Sequence, residues 1–351
     1  MKDFLLYGSY GYSGSLIAEQ AAAQGMKPLL AGRDETRLKL QAQSLGLEYR
    51  CFPLSDPGAL DAALSEAGAV LHCAGPFVHT FRAMADACLR TGRQYVDISG
   101  EIPGFETLAA MDEAARAAGV MLLPGAGFDV VPSDCLAVYL KERLPSATHL
   151  RLYIRGVGAG LSRGTASSGI ENMGRGAMLR REGRIVSAPL GSRTARIDFG
   201  RGPVWTALFN WGDVSSAWHS TGIQNIEVYM ALPRQTIDFL HAANLFMPVL
   251  SARPVRSLLR GLLKLMPPGP STERRRTALA VFQAEVSEAA GKRAAARLTV
   301  PEGYTLTALT TVEIMKRILA GSFTPGFQTP GRLYGADFIL GFEGTRREDL
   351  P

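Results

Sequence analysis

The chain opens with the stretch that decides its fold, Phe4-Leu5-Leu6-Tyr7-Gly8-Ser9-Tyr10-Gly11-Tyr12-Ser13-Gly14-Ser15-Leu16-Ile17. A short apolar run ends in Gly-x-x-Gly-x-x-Gly, and an apolar-periodic segment follows. This order of strand, glycine turn and helix is the context in which a glycine fingerprint predicts dinucleotide binding. Gly8 permits the tight turn, Gly11 lets the backbone approach a pyrophosphate, and Gly14 lets the helix pack on the strand. The helix N-terminus offers N–H groups and a partial positive charge to the phosphates. We therefore predict that the cofactor binds at Gly8, Ser9, Tyr10, Gly11, Tyr12, Ser13 and Gly14.

The end of the second predicted strand, residues 28–31, indicates which dinucleotide binds. NAD sites usually place an acidic side chain there, whereas this chain has Gly32-Arg33, with Asp34 only afterwards. The planar guanidinium of Arg33 suits a 2′-phosphate, which favours NADP over NAD. The alternative is a solvated arginine that starts the next helix.

The pattern of elements predicts two domains. Residues 1–130 alternate strand and helix, as expected of a doubly wound parallel sheet of the Rossmann type. From residue 131 the rhythm changes to alternating strands, a hairpin at 277–288 and 293–300, and a helix at 304–319 beside it. We expect an α/β nucleotide domain at 1–130, rejoined by 325–351, and an inserted α+β domain for substrate binding and dimerisation at 131–324.

Candidate site residues follow from the rule that ligands bind beyond the carboxyl ends of parallel strands. Cys73, Ala74, Gly75, Pro76 and Phe77 follow the fourth strand and should pass under the nicotinamide ribose. Asp97 follows the fifth strand, and Gly127 and Asp129 follow the sixth. Asp97 and Asp129 either orient ribose or substrate and act as acids, or they bridge the loop turns.

Two histidines and a cysteine lie near these loops. His79, beyond the fourth strand, is the better-placed proton donor, whereas His72 falls inside the strand. Cys73 has no basic neighbour in sequence, so a packed thiol is expected rather than a nucleophile. In the second domain, residues 163–168 resemble another anion-binding turn, and the segments 212–214 and 219–223 should line the substrate. Thr221 is the catalytic candidate there.

Composition sets limits on the class of protein. Of 351 residues, 46% are hydrophobic and 20% are charged, as in soluble globular proteins. Cys51, Cys73, Cys88 and Cys135 form no Cys-x-x-Cys pair, so we expect reduced, buried thiols and no metal site. Three residues precede the first strand, and the longest apolar stretch is too short to span a bilayer. These features favour a cytoplasmic protein.

Charge is distributed unevenly along the chain. Residues 1–135 hold 10 Lys and Arg against 16 Asp and Glu, whereas the remainder holds 28 against 16. A basic second domain suggests an acidic partner, such as an acyl carrier, a coenzyme A phosphate or an anionic membrane surface. Nucleic acid is not expected, because no groove-reading motif accompanies the charge.

The segment 236–266 is basic and amphipathic. Arg253, Arg256, Arg260 and Lys264 recur every three to four residues beside leucines, and Pro248 and Pro254 break the helix into a hairpin. The segment is either an interfacial or acyl-covering element that touches membrane or carrier, or a helix that lies on its own domain with a solvated basic face.

Two enzyme families can be compared with these residues. No tyrosine has a lysine four residues on, which excludes the short-chain dehydrogenase mechanism. A spaced set of motifs resembles the saccharopine dehydrogenase-like family instead: Gly8 to Gly14, Ala31-Gly32-Arg33, Cys73 to Phe77, Tyr95 to Glu101 and Gly127 to Asp134. The later pieces Gly212-Asp213, Ser220 to Ile223 and Gly326 to Pro330 resemble its bacterial branch, which includes trans-acting enoyl reductases.

The resemblance implies a Rossmann domain, an inserted α+β domain and NADPH-linked reduction. We therefore expect an NADP-dependent oxidoreductase that reduces an enoyl or related unsaturated acyl group, free or linked to a carrier. Two alternatives stay open. One is a saccharopine-type imine or amino-acid dehydrogenase, and the other is a non-catalytic nucleotide-binding protein attached peripherally to lipid. A homodimer is also expected.

Overall fold

The computed structural model describes residues 2–158, 160–171, 176–246, 252–263 and 265–351. Pro248 and Lys264, singled out in the sequence, lie outside these ranges, as does the side chain of Arg253. The chain divides into two units, each built on its own sheet. The first comprises Met1–Val131 and Gly303–Leu333, and the second comprises Pro132–Glu302 and Tyr334–Pro351.

The first unit contains a seven-stranded parallel sheet with the order β15-β6-β5-β4-β1-β2-β3. Its strands are β1 (Leu5–Tyr7), β2 (Leu29–Gly32), β3 (Tyr49–Cys51), β4 (Ala69–His72), β5 (Gln94–Asp97), β6 (Met121–Leu123) and β15 (Gly326–Phe327). Helices connect them: α1 (Tyr12–Ala23), α2 (Glu35–Leu45), α3 (Pro57–Ser65), α4 (Phe81–Thr91), α5 (Ile102–Ala109) and α6 (Asp112–Ala117), with a 3-10 turn at Phe77–His79. The strand order reverses between β1 and β4, which is where a doubly wound sheet binds its ligand. The predicted Rossmann-type fold is confirmed.

The central strands explain why this part of the sequence is so apolar. Every residue of β1, β2, β4 and β5 is buried, as expected when helices cover both faces of a parallel sheet. Edge strand β3 is more exposed, and it carries the exposed Cys51. The expectation that all four cysteines are buried is therefore wrong for Cys51.

The segment that returns to the first unit differs from the predicted 325–351. Helix α13 (Gly303–Leu319) packs against α1, and the rings of Tyr304 and Tyr12 meet edge to face with centroids 4.9 Å apart. Buried residues lie around most of the helix and include Leu306, Val312 and Met315, so other elements pack against it on several sides. The prediction that this helix packs beside the hairpin of the second domain is therefore wrong.

The second unit contains a mixed sheet with the order β10-β11-β12-β7-β13-β14-β16. Two further strands branch from it: β8 pairs with β12, and β9 pairs with β8. Its strands are β7 (His149–Val157), β8 (Ala177–Arg181), β9 (Arg184–Ala188), β10 (Thr194–Asp198), β11 (Pro203–Leu208), β12 (Asn225–Ala231), β13 (Leu279–Ser287), β14 (Arg293–Pro301) and β16 (Arg346–Leu350). Strand β16 pairs with β14 and covers its open edge, so the final residues belong here rather than to the first unit.

Helices of the second unit lie between these strands. They are α7 (Val131–Arg143), α8 (Arg163–Glu171), α9 (Asp213–Thr221), α10 (Arg234–Ala243), α11 (Arg253–Leu263) and α12 (Thr272–Thr277), with 3-10 turns at Asn244–Phe246 and Phe338–Gly341; helix α14 (Pro330–Tyr334) begins in the first unit. The described parts of the chain contain no helix of the length and apolarity that crossing a membrane requires.

Candidate functional site

The glycine turn after β1 has the shape that a diphosphate requires. Gly8 has φ of +83°, and a Cβ there would lie 2.9 Å from the backbone of Cys73 and Ala74. A Cβ on Gly14 would lie 2.4 Å from the carbonyl oxygen of Gly8, so α1 packs directly on the turn. Gly11 begins the helix without any side-chain cap, which leaves this N-terminus to a ligand. The cradle fits a dinucleotide phosphate, and side chains would fill it.

A side chain from α2 holds the turn from behind. Ser9 is fully buried, and its Oγ donates to Oε1 of Gln41 at 2.8 Å. The Gln41 amide Nε2 donates in return to the Ser9 carbonyl oxygen at 2.9 Å. This reciprocal pair fixes both the side chain and the backbone of Ser9. No local pattern in the sequence predicts this role of Gln41.

The tip of β2 carries two arginines around one tyrosine ring. Gly32 leaves room for the Tyr10 ring, since a Cβ there would lie 2.5 Å from Cε1 of Tyr10. The Tyr10 hydroxyl accepts from the Arg33 N–H at 3.1 Å, and the Arg37 guanidinium lies 4.6 Å from the ring centroid. Arg37 also donates to the Tyr10 carbonyl oxygen at 2.7 Å. Arg33 is exposed, and none of the described residues hydrogen-bonds its guanidinium.

Asp34 is already engaged at this position. Its carboxylate accepts from the Arg37 N–H at 3.1 Å and caps α2. It therefore serves the helix, and the strand tip presents cations rather than an acid. Arg37, in the first turn of α2, is a second cation here that the motif itself does not predict.

The loop after β4 is tied down by a carboxylate from the next loop. Glu101 accepts from the backbone N–H of Phe77 at 2.9 Å and of Val78 at 2.7 Å. The Cys73 N–H donates to the Tyr7 carbonyl oxygen at 2.8 Å, which keeps the start of the loop against β1. The five predicted cofactor residues from Cys73 to Phe77 thus form one braced loop beside Gly8. Gly75 and Pro76 lie in its middle and are joined by a cis peptide bond.

Thr80 secures the other end of this loop. Its hydroxyl donates to the Ala74 carbonyl oxygen at 2.8 Å and lies 2.9 Å from Nε2 of His72. His72 is fully buried, and desolvation lowers its pKa to about 3, so it is a neutral core histidine. Burial also raises the pKa of the Cys73 thiol, which does not favour a nucleophile. His79 lies exposed at the end of the 3-10 turn.

Asp97 links the loops after β5 and β6. Its carboxylate accepts from the Tyr95 hydroxyl at 2.5 Å and from the N–H groups of Ser99 at 2.8 Å and Gly125 at 3.0 Å. Desolvation raises its pKa although these donors oppose the shift. Asp97 therefore bridges the two loops, and its buried carboxylate has few acceptor positions left for a ribose hydroxyl.

Asp129 differs from Asp97 in its surroundings. It is half-buried, and its pKa is raised to about 6, first by desolvation and then by the nearby charge of Glu101. Gly100 leaves room for it, since a Cβ on Gly100 would lie 3.0 Å from the Asp129 carboxylate. Among the described residues, none donates a hydrogen bond to this carboxylate. A carboxyl with a pKa near neutrality can give up a proton under physiological conditions.

The loop between β6 and Asp129 rests on α13. The Thr307 hydroxyl oxygen accepts from the Phe128 N–H at 3.0 Å, and the Thr310 hydroxyl donates to the Ala126 carbonyl oxygen at 2.8 Å. Gly127 is buried between these contacts, where a Cβ would lie 2.9 Å from Thr307 Cγ2. No acceptor for the Gly127 N–H is found in the described ranges. Residues more than 170 positions away in sequence thus shape the loop that carries Asp129.

In the second unit, the predicted substrate segments form part of a buried polar network. Ser133 at the start of α7 donates to Asp213 at 2.7 Å, and Ser220 donates to Asp134. Thr221 donates its hydroxyl proton to the Ala217 carbonyl oxygen at 2.5 Å, as helical threonines commonly do. Its catalytic role stays a prediction, and its hydroxyl proton is directed into its own helix.

The predicted anion-binding turn at residues 163–168 is already occupied by protein groups. Arg163 donates its N–H to the Pro268 carbonyl oxygen at 3.1 Å, and Thr165 donates to Ser162 Oγ at 3.2 Å. In the described part of the chain, no group of three His, Cys, Asp or Glu side chains is arranged to hold a metal ion.

Comparisons with known proteins agree with this geometry. Residues 4–123 match the family model of the saccharopine dehydrogenase NADP-binding domain. Trans-acting enoyl reductases from Mycobacterium leprae (strain TN) and Mycobacterium tuberculosis (strain ATCC 25618 / H37Rv) are each 34% identical, over 150 and 149 residues. Each alignment covers 40% of this chain and 36% of the relative, so the chain matches little more than a third of their length.

A solved structure extends the likeness of fold to the whole chain. Apo saccharopine dehydrogenase (L-Glu forming) from Saccharomyces cerevisiae superimposes with a TM-score of 0.68 at 14% identity, covering 100% of both chains. The predicted NADP cofactor and the resemblance stated from the motifs are confirmed. Residues 4–123 of this chain thus match the NADP-binding domain of saccharopine dehydrogenase, and the whole chain has the fold of that enzyme.

Proposed function

We propose that this chain is an NADPH-dependent reductase of an enoyl or related unsaturated acyl group, presented as a small molecule or on an acidic carrier. The observation that carries the proposal is the half-buried Asp129 carboxyl, with a pKa of about 6, at the ligand-binding edge of an NADP-binding domain. The names of the mycobacterial relatives support an acyl substrate. The basic composition of the second unit suits an acidic carrier.

The residues that hold the cofactor follow from the first unit. The turn from Gly8 to Gly14 accommodates the diphosphate, and Gln41 keeps Ser9 in place behind it. Arg33 pairs with the 2′-phosphate, while Arg37 stays on the Tyr10 ring and adds positive charge. When bound, NADPH supplies the hydride that adds to the β-carbon of the acyl group.

Asp129 supplies the proton that completes the reduction. Hydride addition places negative charge on the carbonyl oxygen as an enolate, and the Gly127 N–H is the donor that stabilises it. The Asp129 carboxyl then transfers its proton to the α-carbon, which leaves a saturated acyl group and an aspartate that is reprotonated from water. Glu101 is a positioning residue, because it braces the loop at Phe77 and Val78 and its charge adds to the desolvation that raises the pKa of Asp129.

Cofactor selection is tested by isothermal titration of NADPH and NADH. Wild type should prefer NADPH, and Arg33→Ala should lower that preference at least about tenfold while NADH affinity changes little. Arg82→Ala is the matched control, since Arg82 is an exposed helical arginine of the same unit that pairs with Asp86. Equal affinities for both dinucleotides in wild type would refute the assignment of Arg33.

Activity is tested by NADPH oxidation with crotonyl thioesters of coenzyme A and of an acyl carrier protein. Asp129→Asn should lower kcat by about a hundredfold or more and leave the Kd of NADPH unchanged. Oxidation of NADPH with an oxo acid plus an amine, but with neither thioester, would replace this proposal by imine reduction. Loss of NADPH binding in Asp129→Asn would show that the residue serves the fold or the cofactor rather than catalysis.

A further inference from the structure

Helix α11 in the second unit exposes its leucines to solvent. Leu258 is 65% exposed, Leu262 is 52% exposed and Leu265 is 83% exposed. They are spaced i, i+4 and i+7, and the Leu265 N–H donates to the Leu262 carbonyl oxygen at 3.0 Å, which continues the turn beyond α11. The three side chains therefore lie along one side of the helix. We call them the leucine face.

The opposite side of the same helix carries two arginines that pair with an acidic residue of α8. Arg260 forms an ion pair of 3.1 Å with Glu171 at the end of α8, and Arg256 lies 3.8 Å from the same carboxylate. Both arginines are rotated by about 160° from Leu258, given 100° per residue. The Glu171 side chain is only 13% exposed, whereas the side chains of Arg256 and Arg260 are 24% and 49% exposed.

An ordinary surface helix buries its apolar residues, whereas this helix leaves three large leucines in solvent. Half of the Arg260 side chain is also solvated, as the sequence-based alternative of a solvated basic face expects. Exposed rows of large apolar side chains usually mark a surface that binds a membrane or another protein. The same unit also exposes Phe239 and Phe246, which lie in or directly after α10.

We propose that the leucine face inserts into the interfacial region of an anionic phospholipid bilayer. Charge complementarity decides between partners: residues 252–276 hold seven Lys and Arg against a single acid, Glu273, and five of these cations remain when Arg256 and Arg260 are paired with Glu171. Arg274 and Arg276, within eleven residues of Leu265, are exposed and can reach headgroup phosphates. A second copy of this chain would bring like charge against like charge in a two-fold interface, which opposes pairing through this surface.

Vesicle co-sedimentation of the full chain tests the proposal. The probes are vesicles of phosphatidylcholine alone and of phosphatidylcholine with 30% phosphatidylglycerol. Wild type should bind the anionic vesicles, and the bound fraction should fall as salt is raised. Leu258→Asp combined with Leu262→Asp should weaken binding at least about tenfold, because each leucine contributes its transfer from water.

Leu40→Asp is the matched control, since Leu40 is a 63% exposed leucine on α2 of the first unit. It should bind vesicles like wild type, and all variants should keep the Kd of NADPH, which separates this outcome from misfolding and from failure of the proposed function. Equal binding of wild type and the double variant to anionic vesicles would overturn the proposal. A dimer in light scattering that the double variant abolishes, with no vesicle binding, would overturn it in favour of a second copy.

Discussion

Gly14→Ala should damage the cofactor cradle more than its small size suggests. The added methyl carbon would lie 2.4 Å from the Gly8 carbonyl oxygen and 2.8 Å from that of Ser9. Both neighbours are backbone atoms, so no side chain can rotate away. Ordinary contact requires α1 to retreat from the turn by about 1 Å. Overpacking of this kind costs about 1–3 kcal/mol, even after the gain in helix propensity from alanine.

The same displacement should weaken cofactor binding. The first-turn N–H groups of α1 would move away from the diphosphate, and a loss of about 1.4–3 kcal/mol raises the Kd of NADPH roughly 10- to 150-fold. Isothermal titration measures the affinity, and thermal denaturation measures the fold.

Gly58→Ala provides the control for Gly14→Ala. Gly58 is a helical glycine of the same unit, in α3, where the nearest atom to an added Cβ is the Asp56 carboxylate oxygen at 3.6 Å. Alanine there should leave the Kd of NADPH unchanged and raise stability by about 0.5–1 kcal/mol. If Gly14→Ala bound NADPH as tightly as wild type and melted at the same temperature, the assignment of this turn as the diphosphate site would be refuted.

Three further substitutions test the braces around the site. Asp129→Asn should abolish a pH dependence of stability. Because the folded pKa of Asp129 is raised to about 6, the wild-type free energy of unfolding should fall by about 1–3 kcal/mol as the pH rises from 4 to 6. Urea titrations of the variant should lack this slope. Glu101→Gln should lower the free energy of unfolding by about 1–3 kcal/mol, since an amide offers one acceptor oxygen to two N–H groups. It should also move the pH–rate profile to lower pH, because it removes a charge that helps to raise the pKa of Asp129. An unmoved profile would contradict the coupling between the two carboxyl groups. Gln41→Leu should raise the Kd of NADPH and lower the free energy of unfolding by about 1–2 kcal/mol, because two hydrogen bonds to Ser9 are lost. If calorimetry of this variant matched that of wild type, the turn would keep its conformation without Gln41.

The sequence predicted the parts of the site whose partners are neighbours in the chain. The turn from Gly8 to Gly14 combines a strand end, a positive φ and a helix start within seven residues, so a short stretch of sequence is enough to predict it. Arg33 was predicted in the same way from its place at the end of β2. The buried strands were equally legible, because a parallel strand that is covered on both faces is a short apolar run.

Other features were misjudged because distant segments compete for the same surface. Helix α13 follows the β13–β14 hairpin directly, so adjacency in sequence favoured the second domain, yet its apolar circumference is covered by the first unit. The tail stays in the second unit because β16 completes the edge of β14. In the sequence the leucine face is part of an amphipathic helix, and nothing local indicates that its leucines stay exposed or that Arg256 and Arg260 pair with Glu171.

By itself, then, the sequence determined the Rossmann-type domain and its NADP cofactor, and it predicted the loops at which a ligand would bind. Only the tertiary structure decided which side chains brace those loops and in which protonation state. Gln41 lies 32 residues from Ser9, Glu101 lies 24 residues from Phe77, and Thr307 lies 179 residues from Phe128. Glycine turns and apolar strands are properties of local backbone geometry and of burial, which short stretches encode. Hydrogen-bond partners and pKa shifts depend instead on the residues that folding brings within about 3 Å, and no local pattern specifies those.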